Sequence, residues 1–516
     1  MIGWTIYICF LGVLLLTIIP RENHRAIRIF ALLSAIASLV IGVVGTLHYS
    51  PNPSGAATVA KLPWVQSLGI EYYLAVDGIS LVMVLLTGIA AVVGILFSWN
   101  IEDRVKEFFC FYLTLIGAVY GVFLSFDLFL FFVFYELAIV PKYFLIAIWG
   151  STNREYGAMK LALYSFIGSA MILVVLLAAY VVSGAKTFNL VELSKFQFPV
   201  AFQMWALPLM LAGFGILAGL WPFHTWAPTG HVAAPTAASM LLAGVVMKLG
   251  AYGALRVAMT LFPRGLDDWV SRFHGLESWR EVFALLALIG IVYGAMVAFV
   301  QRDFKFVIGY SSVSHMGFVL LGLMTLTEIG LTGAVLQMFS HGIIAGLLFA
   351  VVGRMVYDRT HTRDLSELER MRLHKVIPFA AFTFVIAGLA SMGLPGFSGF
   401  VAELQVLIGA WSAFPTFAVI AGMGILVGVA YTIRTMQRAF FSGAPIVTSS
   451  TTVSAPPQRL HADAPIAAIS LPERLGAALL MALTLVVGLQ PRLLLDLITP
   501  ALGSPLFANL FKRIGP

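Results

Sequence analysis

Charge is scarce along this chain. Asp, Glu, Lys and Arg make up only 11% of its 516 residues, while 60% are hydrophobic; a soluble globular protein carries about 25% charged residues. With a mean hydropathy of +0.96, a soluble fold is excluded and the chain reads as a polytopic membrane protein. Cysteine is nearly absent. Cys9 and Cys110 each sit in an apolar stretch, which leaves no disulfide framework and no metal or iron–sulfur spacing. No glycine loop opens a helix after a strand, so no phosphate cradle is expected. Residues 1–20 have neither the positive n-region nor the small-residue cleavage site of a secretory signal, so they read as a first span. The formal charge of +7 is spread over loops, which suits orientation in a membrane and not nucleic-acid binding.

A helical span needs roughly 17–25 apolar residues. Such stretches fall near 2–19, 29–48, 78–99, 108–125, 128–149, 158–183, 204–223, 235–262, 281–301, 306–327, 330–353, 376–410, 414–440 and 471–490, fourteen in all. Asp127 divides one apolar run into two spans, and residues 49–73 and the Ser/Thr/Pro-rich residues 442–468 read as extramembrane. The expected fold is all-α with about fourteen transmembrane helices. Helices one to three fall in residues 1–107, a first five-helix repeat in 108–262, a second in 281–440, and a loop, the last helix and a tail in 441–516.

Loops after odd-numbered spans carry Arg21, Arg25, Arg28, Arg104, Lys106, Arg154, Arg302, Lys305, Arg354, Arg359, Arg363, Arg370, Arg372, Lys375 and Arg459. Loops after even-numbered spans hold Lys61, Lys186, Lys195, Arg264, Arg272 and Arg280. The positive-inside tendency therefore makes the odd loops cytoplasmic and puts both termini on the opposite side.

The chain is built around residues 213–256. There an apolar run is broken by Pro222, Pro228 and Pro235, with His224 and His231 in the break, and resumes as a long apolar helix with a lone cation, Lys248. Interrupted helix at membrane depth survives only where protein or a wet cavity surrounds it. Lys248 lies roughly 20 Å along the helix from Pro235 at 1.5 Å per residue, well inside a hydrocarbon layer of about 30 Å. A second break, Leu394-Pro395-Gly396-Phe397-Ser398-Gly399, interrupts span twelve as the first interrupts span seven about 170 residues earlier. Paired broken helices, five spans apart and hence crossing in opposite directions, mark an inverted repeat with its site at the breaks. The plain alternative is that Gly and Pro are common in membrane helices.

Five ionisable residues stand near the middles of their spans: Glu136, Lys248, His315, His341 and Glu403. Each costs desolvation energy unless paired, bonded or hydrated, so a common depth suggests a row of polar sites along the membrane plane. Burial disfavours the charged form of each and an opposite charge favours it, which is the switch a proton pump needs. His315 and His341 have a bland alternative as core histidines joining helices, as do Ser312, Ser314 and Ser340. Lys160, just inside span six, can snorkel to the interface. Glu136 and Glu403 are harder to explain away, because a buried carboxylate needs a specific partner.

The segments FYELAIVPKYFLIAIWG (134–150), WPFHTWAPTGHVAAPTAASMLLAGVVMKLGAYGALR (221–256), DFKFVIGYSSVSHMGFVLLG (303–322), FSHGIIAGLLF (339–349) and GLPGFSGFVAELQVLIGAW (393–411) resemble the antiporter-like membrane subunits of respiratory complex I. The resemblance covers roughly residues 70–490 in consistent order. Glu403, where the L and N types carry lysine, and the lack of a long lateral helix after span fourteen resemble the M type, subunit 4 of mitochondria. This implies that Glu136 is the span-five glutamate, Lys248 the lysine linking two half-channels, Glu403 the glutamate of the exit half, and His315 and His341 part of a central hydrophilic axis. It also implies that quinone reduction elsewhere in the complex drives proton transfer here. Flavin mononucleotide, iron–sulfur clusters and quinone would then belong to other subunits, with no cofactor in this chain, L-type and N-type subunits as neighbours, lipid around them, and a bacterial inner membrane as the location.

One departure stands out. The family places a lysine in span seven, seven residues before the position of His224, as partner to the span-five glutamate. Leu217 occupies that place here. Lys142, six residues after Glu136, is a candidate substitute. Six residues leave the two about 120° apart on a straight helix, and Pro141 can kink it. Three alternatives follow: a subunit of a multisubunit cation/proton antiporter, a subunit of a membrane-bound hydrogenase, or a non-pumping scaffold. A stand-alone secondary carrier is disfavoured.

Overall fold

The computed structural model describes residues 1–50, 55–266, 277–442 and 467–511. Arg272, Arg459 and most of the Ser/Thr/Pro-rich segment lie outside the described residues. Twelve described helices are long and apolar enough to cross a bilayer, beginning with His24–Leu47 and ending with Leu471–Leu489. Trp4–Ile18 and Pro378–Ser391 are shorter apolar helices. Several helices start at an aspartate whose carboxylate accepts backbone N–H groups: Asp77 from Ser80, Asp127 from Phe129 and Leu130, Asp303 from Lys305 and Phe306. Such caps satisfy donors that the first helical turn leaves open. The apolar break seen at Asp127 in the sequence is thus a helix start.

The chain is a helical membrane fold as expected, with one small addition. Part of the stretch read as a loop forms an antiparallel hairpin, β1 (Ala57–Val65) and β2 (Ile70–Val76). Pro63 disguises β1 because proline cannot donate to a ladder, and the register shifts between Pro63 and Val65. The turn needs Gly69: its φ is 65° and a Cβ there would lie 1.8 Å from the Lys186 carbonyl oxygen.

The hairpin gathers the loops that follow even-numbered spans. Phe126 N donates to Tyr73 O at 2.9 Å, Leu190 N to Phe126 O at 2.9 Å, and Asn189 Nδ2 to Glu71 at 3.1 Å. Loops after odd-numbered spans meet on the opposite face, where Phe304 N donates to Arg363 O at 2.8 Å and Arg363 pairs with Asp303 at 3.3 Å. Gly3 packs beside Val59, and Ser504 beside Gly55. Both described ends therefore lie on the hairpin face, opposite the arginine-rich loops.

Both breaks are present. Val200–Ala218 ends at Gly219 (φ 84°), and the short helix Trp226–Ala233 resumes after it. Trp226 Nε1 donates to Ile216 O at 2.7 Å, filling one of the carbonyls that the first half-helix leaves open. Pro378–Ser391 and Ser398–Ala413 form the second broken pair, separated by Gly393 and Gly396, both at positive φ. Between these breaks runs Thr236–Met259, buried continuously from residue 237 onward. Its α-helical middle, Met247–Gly253, is flanked by π-helical turns at Leu242–Val246 and Ala254–Met259. Such turns recur at functional sites because they widen the helix and redirect its carbonyls.

Candidate functional site

Four of the ionisable residues picked out in the sequence form a row. Lys248 is fully buried, and its Nζ donates to the Ala243 carbonyl in the preceding π turn. The same nitrogen lies 2.7 Å from Nδ1 of His341. The His341 ring stacks on that of His315, with centroids 5.4 Å apart and planes 29° apart. His315 Nδ1 in turn meets Glu403 Oε1 at 3.0 Å, and its Nε2 meets Ser391 Oγ at 3.1 Å. Gln337 Nε2 donates to the same glutamate oxygen at 3.2 Å.

The broken helix supplies two members of this row. Ser391 ends its first half, and Glu403 lies within its second. Gly393 makes room between them: a Cβ there would stand 2.8 Å from Glu403 Oε2, and its φ of 68° suits only glycine well. Carboxylate, imidazole, imidazole and amine thus follow one another across the protein's buried middle. Each exchanges a proton readily, and histidine does so by accepting at one nitrogen and releasing at the other.

The first half is arranged differently. Lys142 is 1% exposed, and neither its Nζ nor Glu136 Oε1 has a hydrogen-bond partner among the described residues. They are the opposite charges that act on one another, on either side of an interruption at Ala138. Leu217, at the expected lysine position, is buried and offers no polar atom. His224 and His231 have both ring nitrogens buried without a hydrogen-bond partner. His224 rests against Tyr293 with centroids 5.2 Å apart and has Lys160 as its neighbouring cation. Lys160 itself reaches Thr229 Oγ1 only at 3.5 Å. His231 packs on Phe349 at 5.1 Å and has Lys305 and Lys248 as neighbouring cations.

Two readings of the sequence are corrected here. Lys248 is not the lone cation of its helix. Arg256, 1% exposed, forms a two-pronged pair with Asp77 at 2.6 and 2.7 Å and donates from Nε to the Tyr252 hydroxyl at 3.1 Å. Both residues sit at the ends of apolar runs, where a charge reads as interfacial, and 179 residues separate them. Lys305, counted as a loop charge, is only 4% exposed; its Nζ donates to the carbonyls of Ala234 at 2.6 Å and Val232 at 3.2 Å. Gln337 and Ser391 do not stand out in the sequence, because neutral polar residues are ordinary in membrane helices. The available signal was spacing, since Gln337 stands four residues before His341 and so shares its helix face.

The profile of a family described as NADH:quinone oxidoreductase/Mrp antiporter transmembrane subunits matches residues 125–428. The chain is 36% identical over 510 residues to NAD(P)H-quinone oxidoreductase chain 4 1 of Synechococcus elongatus, covering 97% of this chain and 91% of that one. It is 35% identical over 509 residues to NADH-quinone oxidoreductase subunit M of Rhodobacter capsulatus, covering 96% and 93%. Among solved structures, a chain of respiratory complex I from Thermus thermophilus superposes over 100% of both chains with a TM-score of 0.85 at 26% identity.

Proposed function

This chain belongs to the NADH:quinone oxidoreductase/Mrp antiporter transmembrane family, and from that membership we propose that it is the proton-translocating, antiporter-like M-type subunit of a complex I-like quinone oxidoreductase. It is a multi-pass integral membrane protein, and its partners are other membrane subunits. The observation that carries the reading is the buried sequence of Lys248, His341, His315 and Glu403, linked by contacts of 2.7 and 3.0 Å and one ring stack. Ionisable groups buried in a membrane are costly and rare, and where they occur paired in a row they mark ion or proton paths.

In this reading Lys248 relays protons between the two halves, His341 and His315 pass them on, and Glu403 serves the exit half. Glu136, with Lys142, serves the uptake half. Quinone reduction takes place in other subunits, which hold the flavin, the iron–sulfur clusters and the quinone site, and the adjoining subunits are of L and N type in a bacterial inner membrane. Leu217 favours one rival, a subunit that bridges its neighbours without pumping. Proton release per electron pair in membrane vesicles separates the two. Lys248→Ala is expected to lower that ratio by this subunit's whole share while the assembled complex stays at its parent level. A parent ratio in that variant establishes the scaffold.

A further inference from the structure

Among the described spans, only Thr236–Met259 and Glu328–Thr360, the eighth and eleventh, have apolar stretches buried along their whole length. Their contacts set an antiparallel register: Thr236 lies beside Gly353, Gly244 beside Gly342, and Lys248 beside His341. At the second of these pairs the two backbones nearly touch. A Cβ on Gly342 would stand 2.6 Å from Gly244 O, and one on Gly244 would stand 3.1 Å from Gly342 O. Each glycine directly follows a group that holds the Lys248 ammonium. Gly244 follows Ala243, whose carbonyl accepts from it, and Gly342 follows His341, whose Nδ1 lies 2.7 Å away. Gly244 also belongs to the π-helical turn Leu242–Val246, so one turn both presents the Ala243 carbonyl and meets span eleven. Small residues are what allow helix backbones to approach this closely in a membrane. One turn further along span eleven the demand is gone: a Cβ on Gly346 would meet nothing nearer than Leu480 Cδ1 at 3.8 Å.

We infer that the crossing of Gly244 and Gly342 is the positioning element of the central relay, with Gly342 its principal positioning residue: it sets the separation at which a proton passes from Lys248 to His341. That transfer breaks an N–H bond at Lys248 Nζ as one forms at His341 Nδ1, so it needs the two nitrogens in hydrogen-bond contact. Ordinary van der Waals contact begins at 3.4 Å, so a Cβ on Gly342 parts the two backbones by about 0.8 Å, which takes the 2.7 Å contact beyond the hydrogen-bond limit of about 3.2 Å. A Cβ on Gly244 needs less, a parting of about 0.3 Å from 3.1 to 3.4 Å. Neither strain is relieved by turning a side chain, because the atom met is a backbone carbonyl oxygen on each side.

The inference rests on the proton-translocating reading, and its test separates the two. In vesicles of the whole complex, Gly342→Ala is expected to cut the proton-to-electron ratio by at least half of the drop that Lys248→Ala causes, with assembly at the parent level. Gly244→Ala should cut it by less, and Gly346→Ala should leave it at the parent value. Gly342→Ala combined with Lys248→Ala should fall no further than Lys248→Ala alone. The pH profile of turnover in Gly342→Ala should be displaced from the parent's, because Lys248 and His341 no longer share a hydrogen bond. A crossing that serves packing alone predicts less assembled complex, with the ratio and pH profile of what remains at parent values, and that result overturns the inference. So does an equal loss in Gly346→Ala. Leu86 gives a further check, since its Cδ atoms would lie 2.7 and 2.9 Å from a Cβ on Gly342. If Leu86→Ala restores the ratio of Gly342→Ala, the loss came from crowding against span three and the inference is overturned; a ratio that stays low supports it. Where Gly342→Ala does not assemble, Gly244→Ala decides: a lowered ratio with a displaced profile supports the inference, and parent values for both overturn it. If Lys248→Ala lowers the ratio and Gly342→Ala does not, only the positioning role is rejected; if Lys248→Ala itself leaves the ratio unchanged, the pumping function falls and the positioning role with it.

Discussion

The two halves of this protein contain similar inventories of buried ionisable groups and connect them in opposite ways. In the second half, His315 meets Glu403 at 3.0 Å, His341 reaches Lys248 of the first half at 2.7 Å, and Gln337 and Ser391 fill the remaining positions around them. In the first half, Glu136 Oε1, Lys142 Nζ and the nitrogens of His224 are buried without a hydrogen-bond partner among the described residues. A contiguous row offers one path, so one cut severs it. Dispersed groups offer loose alternatives, and a route through them depends on side-chain movement. The contrast follows the sequence: the second half keeps a carboxylate and a serine at its broken helix, while the first has Leu217 where a cation is expected.

The largest effect should come from cutting the contiguous half. Glu403→Gln keeps the side-chain shape but removes the carboxylate that meets His315 Nδ1 at 3.0 Å. The ratio of protons to electrons should fall as far as in Lys248→Ala, and the double variant should fall no further, because both residues lie on one path. Additive losses in the double variant would show that Glu403 and Lys248 belong to separate routes, and the row would then be an accident of packing.

A smaller effect is expected from Glu136→Gln, because Glu136 stands apart from the contiguous row that ends at Lys248. The ratio should drop by less than in Glu403→Gln. Lys142→Ala should cause a similar partial loss, and the two together should cost no more than either alone, as expected of groups that act as a unit. Independent, additive effects in this double-mutant cycle would mean that Lys142 has not taken over the missing partner's role. A complete loss in Glu136→Gln would abolish the contrast between the halves.

Much of this arrangement is legible in the sequence because burial in a membrane makes charge conspicuous. Glu136, Lys248, His315, His341 and Glu403 stand out from long apolar runs, and the prolines and glycines at 222–235 and 393–399 mark the broken helices. What stays hidden is pairing over long separations. Asp77 and Arg256 each look like an ordinary helix-end charge, yet they form a buried two-pronged pair. Lys305 looks like an orienting loop charge because Asp303 and Arg302 precede it, and only the folded chain brings it under the carbonyls of Val232 and Ala234. The hairpin at 57–76 escapes for another reason. Hydropathy over windows of membrane length is blind to strands of nine and seven residues, and Pro63 breaks their alternation.

The smallest effect should be that of Lys160→Ala. Its ammonium reaches Thr229 Oγ1 only at 3.5 Å and lies 5.7 Å from the centre of the Tyr156 ring, beside a residue that is itself largely exposed. A contact of that length and exposure contributes little, on the order of 0–1 kcal/mol for surface charge interactions in general. The long side chain can also carry its charge toward the interface. The proton-to-electron ratio should therefore stay at the parent value and turnover should change by less than about twofold, roughly 0.4 kcal/mol in a barrier. A loss as deep as that of Glu136→Gln would place Lys160 and its neighbour His224 on the uptake path. The first half would then draw its cation from span six, and Lys142 would be left as a buried charge serving only to hold Glu136.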